Sequence, residues 1–364
     1  MEHLLNSILL LAAAQGLFLS ILILHKHGSL VANRLLASLM LLLSAFLLHL
    51  YLGEINLLVN QHFFIDLLIG MAYLVGPLHF FYVQALAQHW TKLSGKIYFH
   101  ALPFVIYEIL IIIYHMDTTS LNSLYYTKLT PLQPTVYYYL YHWTVISSAA
   151  VYFGISLKTI QSYSRQIKNM FSTTDHIKLT WLRNLNGIIL IVIIEYAIEN
   201  LLLLFGINLS NYFDLTSVLL AVCLYAIGYM GLLKTDIFTS PPVARGLDRL
   251  PQVRSRQPMS KYKKSGLSRE QAQELTEQLR RVMRTREPFT DTDLTLEKLA
   301  RQLHTTPHHL SQVINNELDT TFYDFINQYR IDKIKKELVK PENAHLKLFA
   351  MAQESGFRSK SSFN

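Results

Sequence analysis

For its first 240 residues the chain lays apolar residues down in blocks rather than in stripes. Leu, Ile, Val, Ala and Phe follow one another with few polar interruptions, and short polar stretches separate the blocks. A helix needs about 20 largely apolar residues to cross the hydrocarbon core of a bilayer. Seven blocks answer to that length, over residues 4–24, 35–57, 63–86, 97–115, 136–157, 185–205 and 212–233. The pattern then changes. Residues 240–265 hold Pro241, Pro242, Pro251 and Pro258 and show no apolar periodicity. Beyond them apolar residues recur every three or four positions, the spacing of helices that bury one face and wet the other. The expected fold is all-α: a polytopic seven-helix transmembrane bundle over 1–239, a basic Pro-containing linker over 240–265, and a helical domain over 266–364. The first block follows Met-Glu-His without the basic start or small-residue cleavage site of a signal peptide, so it is expected to stay as a membrane helix.

Charge deepens the division. Up to Ser240 the chain has 11 Lys and Arg against 10 Asp and Glu, and from Pro241 it has 22 against 15, so the formal net charge of +8 lies almost wholly in the second part. A basic domain suits an anionic partner, either nucleic acid or a lipid surface. Lys and Arg also alternate between loops: Lys26 and Arg34 in the first, Lys92 and Lys96 in the third, and Lys158, Arg165, Lys168, Lys178 and Arg183 in the fifth, while the second and sixth have none. Cytoplasmic loops concentrate these residues, so the N-terminus is expected outside and the tail beyond Lys234 in the cytoplasm. The linker cations, Arg245 to Lys264, suit anionic headgroups or phosphates, and the two uses compete. The single cysteine, Cys223, gives neither a disulfide framework nor a thiolate metal site.

Ionisable residues inside apolar blocks are expensive and by default mark a functional site or a paired interior contact. Glu108, Glu195 and Glu199 fall within blocks, and Glu54, Asp66 and Asp214 near the ends of theirs. Glu195 and Glu199, four apart, share a helix face. Glu108, Glu195, Glu199 and Asp66 are the candidate membrane sensing site. The competing reading pairs the acids with His49, His79, His100 or His142, or hydrogen-bonds them as neutral acids between helices. The cluster Tyr137, Tyr138, Tyr139, Tyr141 and Trp143 reads as a headgroup-level aromatic belt, with a ligand-pocket lining as the alternative. Gly76-Pro77 is expected to kink the third helix.

In the last hundred residues, Ser268 with Gln271 opens a helix that carries Leu275, Leu279 and Val282. Leu296, Leu299, Ala300 and Leu303 form the apolar face of a second. His304-Thr305-Thr306-Pro307 then makes a turn in which Thr306 can cap and Pro307 fits the first helical position. The next helix buries Leu310, Val313 and Ile314 and leaves His308, His309, Ser311, Gln312, Asn315 and Asn316 polar and outward. Two short helices on a tight turn make a helix-turn-helix, and amide side chains on such a face suit adenine in the major groove. His308 and His309 are adjacent, hence on different faces, and with His304 they lack an acidic or thiol partner at ligand spacing, so no metal site is expected. A long helix over 322–339 follows, with Phe325, Ile326, Tyr329, Ile331, Ile334 and Leu338 on its buried side. Ser355-Gly356-Phe357 then makes a turn before a further helix at Ser359.

These residues resemble the AraC-type DNA-binding domain through Leu294-Thr295-Leu296-Glu297-Lys298-Leu299-Ala300, Pro307 to Asn315, Phe325-Ile326-Asn327-Gln328-Tyr329-Arg330 and Glu354 to Asn364, about a fifth of the chain. The arrangement looks like the bacterial subgroup that fuses this domain to a multi-helix membrane region. The resemblance implies tandem helix-turn-helix units joined by one long helix, with His308, Ser311, Gln312 and Asn315 facing bases in the first unit and Lys360 and Ser361 in the second. The family continues past Asn364, so the second recognition helix is expected to be incomplete. By this resemblance the chain is expected to be a non-enzymatic, membrane-tethered one-component transcription regulator in the bacterial inner membrane, without a cofactor. Its expected partners are double-stranded DNA, the lipid bilayer, a second copy in a homodimer, and a signal ligand of undefined chemistry. A receptor or transporter whose tail binds a protein is the alternative. An intramembrane enzyme built on Glu195 and Glu199 lacks any His-Glu-X-X-His or nucleophile motif.

Overall fold

The structure is a computed structural model. It describes residues 2–27, 30–55, 57, 69–88, 90, 92–93, 95–117, 136–174, 179–207, 215–234, 267–343 and 345–363. The chain divides into two compact units, residues 1–160 with 180–249, and residues 161–179 with 250–364. Both are helical. Among the described residues the β-structure is one isolated antiparallel bridge, Phe171 with Thr295.

Unit 1 begins with α1 (Glu2–His27) and α2 (Val31–Glu54), which pack on each other and on α7 (Leu215–Lys234). Leu9, Ala13 and Ile23 of α1 and Leu36, Leu39, Met40 and Leu47 of α2 are buried. Small polar residues tie the pair: Ser20 Oγ donates to Ala37 O at 2.9 Å, and Ser44 Oγ to Ala13 O. At Gly16 an added Cβ would come within 2.8 Å of Leu224, the close helix approach that small residues permit. Then come α3 (Ala72–Gln88), a 3-10 stretch at Gly95–Ala101, α4 (Leu102–Asp117), α5 (Val136–Met170) and α6 (Thr180–Leu204). A buried polar knot joins α3, α5 and α6. His79 Nε2 and Asn186 Oδ1 are 2.9 Å apart, Asn186 Nδ2 donates to Phe153 O at 3.0 Å, and the His79 ring stacks on Phe153 at 4.3 Å.

Four helical stretches are long and apolar enough to cross a bilayer: Asn6–His25, Val31–Gly53, Tyr138–Met170 and Thr180–Leu204. The expected count of seven is corrected to four among the described residues. Ile97–Ile113 and Leu215–Met230 are apolar but shorter. The fourth block loses α-helical length because its first turn is 3-10 and Pro103 fits only the first turn of the α-helix that follows. In the third block α3 is a helix of 17 residues that keeps Pro77 inside it, and residues 58–68 lie outside the described ones. α5, by contrast, outruns its block. Its 35 residues span about 50 Å at 1.5 Å per residue, well beyond the roughly 30 Å of hydrocarbon, and the stretch from Gln161 belongs to unit 2. The sequence pattern alone assigns residues 161–179 to a loop of the membrane half.

Unit 2 is made of α8 (Arg269–Thr285), a 3-10 turn at Pro288–Thr290, α9 (Leu296–Gln302), α10 (Pro307–Gln312), a π-turn at Val313–Glu317, α11 (Phe322–Leu338), α12 (Leu348–Glu354) and α13 (Lys360–Phe363). The capping box at Ser268 forms as the sequence predicts, Gln271 N–H donating to Ser268 Oγ and Ser268 N–H to Gln271 Oε1, at 3.2 and 3.0 Å. Two cores result. The first gathers Leu275, Leu279, Leu299, Ala300, Leu310, Val313, Ile314 and Ile326. The second holds Ile334, Ala352 and Phe357, with Ile331, Phe349 and Phe363 packed against it. α11 serves both. Leu338, expected on its buried side, is 50% exposed, because it is the last residue of the helix and no element of the second core reaches it.

Candidate nucleic-acid interface

Local chemistry fixes both ends of the first pair of helices. Thr295 Oγ1 accepts from Lys298 N–H at 3.2 Å and caps α9, and Thr306 Oγ1 accepts from His309 N–H at 3.2 Å and caps α10, with Pro307 next in its first turn. Between them His304 takes a positive φ of 51°, a left-handed conformation in which His is found more often than most non-glycine residues. Leu310, Val313 and Ile314 are fully buried, so the opposite side of the second helix looks outward. His308 and Asn316 are exposed there, and His309, Ser311, Gln312 and Asn315 are half-buried. Asn315 Nδ2 donates to Ser311 Oγ at 3.0 Å. That bond uses one of the two amide protons, leaving the other proton and the carbonyl oxygen in the pattern that pairs with adenine.

The second pair of helices is joined by Gly356, whose φ is +100°. A Cβ there would strike Phe289 O and approach Arg330 Nε to 2.9 Å, so glycine is required for both backbone conformation and space. Ser359 opens α13, Ser362 N–H donating to Ser359 Oγ at 3.1 Å. Lys360 is exposed. The Ser361 backbone is in α13, and its side chain lies outside the described residues. Arg358 Nη1 reaches Asp293 Oδ1 at 3.0 Å, an exposed tie between the two pairs.

Sequence reasoning meets Arg330 only as part of a motif. In the structure it is 1% exposed and sits where the two pairs meet. Nε donates to Phe289 O at 2.7 Å and Nη2 to Asp291 O at 2.9 Å. Its guanidinium lies 5.7 Å from the Phe357 ring centroid. Burial lowers its pKa to about 10, the nearby Asp291 opposing the shift, so it remains a cation at neutral pH. A buried Arg inside an amphipathic pattern could have been noticed from its position, since Ile326, Arg330 and Ile334 share one helix face.

In unit 1 the structure brings together two of the four candidate sensing acids. Thr216 Oγ1 donates toward Glu195 Oε2 and Glu199 Oε2 at 3.0 and 2.7 Å. Glu108 stands instead against Gly70 and within electrostatic reach of Tyr141. Asp66, Asp214 and the linker 240–265 lie outside the described residues. Three of the four candidate histidine partners are taken by other groups: His79 by Asn186, His100 by Tyr152 Oη at 2.7 Å, and His142 by Tyr196. Tyr141 is buried, donates to Ile69 O at 2.8 Å, and packs with Tyr73 and Tyr107 at ring separations of 5.6 and 5.2 Å. That corrects the headgroup-belt expectation for this residue, because its hydroxyl finds a carbonyl inside the unit.

Two capped helices on a tight turn, the second with a buried side and a polar outward side, define unit 2 as a helix-turn-helix DNA-binding domain. A family model described as a helix-turn-helix domain matches residues 299–364. No curated protein and no solved structure matches the chain. The domain at the C-terminus is of the AraC type.

Proposed function

We propose that the chain is a membrane-tethered one-component transcription regulator, whose C-terminal unit reads duplex DNA under control of a signal met by the membrane helices. The observation that carries this reading is the outward face of α10 and the turn after it. His308, Ser311, Gln312 and Asn315 stand there over fully buried Leu310, Val313 and Ile314, on a chain that also holds four helices fit to cross a bilayer. Lys360 and Ser361 are the corresponding base-facing residues of the second pair. The alternation of Lys and Arg between loops supports an N-terminus outside and unit 2 in the cytoplasm. Among the membrane helices, Glu195 and Glu199, held by Thr216, are the first candidates for a sensing site, and Glu108 and Asp66 are the further ones. Linker cations attach to anionic lipid headgroups, and a second copy of the chain supplies the other half of a homodimeric reader.

The test is selection of sequences from a random duplex library by the full-length protein in lipid nanodiscs. A defined motif should emerge. Binding should weaken between 50 and 200 mM salt, log K falling with a slope of about 0.9 per phosphate neutralised, and Gln312→Ala should relax preference at one base position. Failure to enrich any motif, with binding flat in salt, would overturn the reading.

A further inference from the structure

Part of the DNA-reading unit comes from between two membrane-capable helices. α5 stays helical to Met170, and Phe171 then pairs with Thr295 while Ser172 N–H donates to Leu294 O at 3.2 Å. Side chains fasten the same short stretch: Ser172 Oγ donates to Leu294 O at 2.7 Å and Thr173 Oγ1 to Thr292 O at 2.9 Å. Ser172 and Thr174 are 1% and 0% exposed. One turn earlier on α5, Lys168 Nζ lies 5.4 Å from the Tyr323 ring centroid and 3.9 Å from Asp324.

The centre of this contact is Arg330. Nη1 donates to Ser172 O and to Thr173 Oγ1 at 3.2 and 3.4 Å, and Nη2 to Ser172 Oγ at 3.1 Å. Its remaining bonds go to Phe289 O, Asp291 O and Asn327 Oδ1. The stretch from α5 thus supplies half of the acceptors of a buried cation, whose other neighbours are the residues that open the first helix pair and the Gly356-Phe357 turn of the second. Hydrogen bonds to a charged group are the stronger ones, and removing the acceptor leaves the buried donor unsatisfied.

We propose that residues 161–174, the end of α5 and the stretch that follows it, are the control contact of the DNA-reading unit: a strap that fixes the two helix pairs on each other through Arg330 and loosens their junction when it is withdrawn. The strap does not act by covering the base-facing side, since His308 is exposed and Ser311, Gln312 and Asn315 keep part of their surface. It acts on the spacing of two recognition helices, which must meet successive stretches of one groove. The effect on transcription rests on the function proposed above; the contact and its mechanical consequence do not.

The experiment compares three full-length proteins in detergent micelles by amide hydrogen exchange: wild type, Ser172→Ala with Thr173→Val, and a Cys223→Ser chain carrying Phe171→Cys and Thr295→Cys. Residues facing each other across an antiparallel bridge are close enough for a disulfide. The Ser172/Thr173 variant should exchange about tenfold faster or more over residues 289–294 and 352–357, with α1 and α2 unchanged. The oxidised cysteine pair should exchange more slowly there than its own reduced form, a comparison that holds even if the first variant folds poorly. Equal exchange at 352–357 in all forms, or no disulfide under mild oxidation, would overturn the strap. Duplex binding is measured on the same samples. Strap-dependent exchange in a wild-type protein that binds no duplex supports the strap and sinks the regulator reading alone.

Discussion

In unit 1 the large apolar side chains that reach the surface run down whole helices. Val105, Ile106, Ile109, Leu110, Ile112 and Ile113 are exposed on α4, and Ile188, Ile191, Ile194, Ile198 and Leu201 on α6. In unit 2 the exposed large apolar residues, among those described, are Leu338, Val339 and Leu348. Monomeric soluble proteins rarely show continuous apolar patches of the first kind, and a helix in lipid requires them. The units also treat helix ends differently. In unit 2, α8, α9, α10 and α11 are each capped by a side chain, from Ser268, Thr295, Thr306 and Thr321, and α12 is not, whereas in unit 1 Leu30 precedes α2 with no side-chain cap. Water competes for the first N–H groups of a helix, so an aqueous helix gains from a cap. A spanning helix cannot unwind into hydrocarbon at all. One chain therefore carries two sets of folding rules, and substitutions should separate them.

The largest difference is expected at the buried polar groups. Arg330→Met removes the donors from Phe289 O, Asp291 O and Ser172 O and should destabilise unit 2 by about 4 kcal/mol, several buried acceptors being stranded at once. Arg330→Lys should recover little of this, because an ammonium cannot reproduce the forked geometry. In unit 1 the matching change, His79→Phe, removes one bond to Asn186 and keeps a ring against Phe153. Interhelical hydrogen bonds in membranes average about 0.6 kcal/mol, and the loss should be of that size. Pulse proteolysis in urea, read separately on fragments of each unit, checks both. Equal losses in the two units would erase the contrast.

Surface positions should invert the ranking. Ile191 and Val339 are 65% and 81% exposed, and by exposure alone an arginine would be tolerated at either. Val339→Arg should change stability by less than about 0.5 kcal/mol, as surface substitutions do. Ile191→Arg should raise the apparent free energy of inserting α6 by about 3 kcal/mol if that face meets lipid, measured by the glycosylation pattern of a reporter flanking the helix in microsomes. Insertion indifferent to Ile191→Arg would show that this face is not in hydrocarbon.

Much of this contrast was legible in the sequence. Block hydrophobicity marks unit 1, and periodic hydrophobicity with Thr295, Thr306 and Pro307 marks the helix-turn-helix, because caps and buried stripes are local in the chain. What was not legible depends on contacts between distant residues. The role of Arg330 requires acceptors from Ser172 and Phe289, 158 and 41 positions away. The helical tail of α5 is mixed polar sequence that, with no partner in view, reads as a loop. The pattern leaves the acids either paired with histidines or hydrogen-bonded between helices, and only the fold shows that Glu195 and Glu199 meet at Thr216, since the helix that faces them is fixed by packing and not by residue chemistry. Tyr141 reads as interfacial because Tyr favours headgroups, and only the fold shows the Ile69 carbonyl that lets its hydroxyl be buried.

The smallest expected effect concerns the caps. Thr306→Ala removes the acceptor of His309 N–H at the start of α10 and should cost about 1 kcal/mol, with Thr306→Ser close to wild type. Leu30→Ser, which offers α2 the same cap, should gain nothing measurable if the first turn of that helix is already supported by headgroups and by the impossibility of unwinding in lipid. The pair is informative because side-chain volume changes little in one case and greatly in the other, so packing and capping predict opposite rankings. Capping makes the Thr306 change the more harmful. Packing makes the Leu30 change the more harmful, since Leu30 is 37% exposed and part of its side chain is covered. Exchange of the His309 amide against that of Asn33, whose N–H already donates to Leu30 O at 3.1 Å, reads the two directly. Faster exchange at His309 in Thr306→Ala, beside unchanged exchange at Asn33 in Leu30→Ser, would place α10 among helices that need water-facing caps and α2 among those that do not.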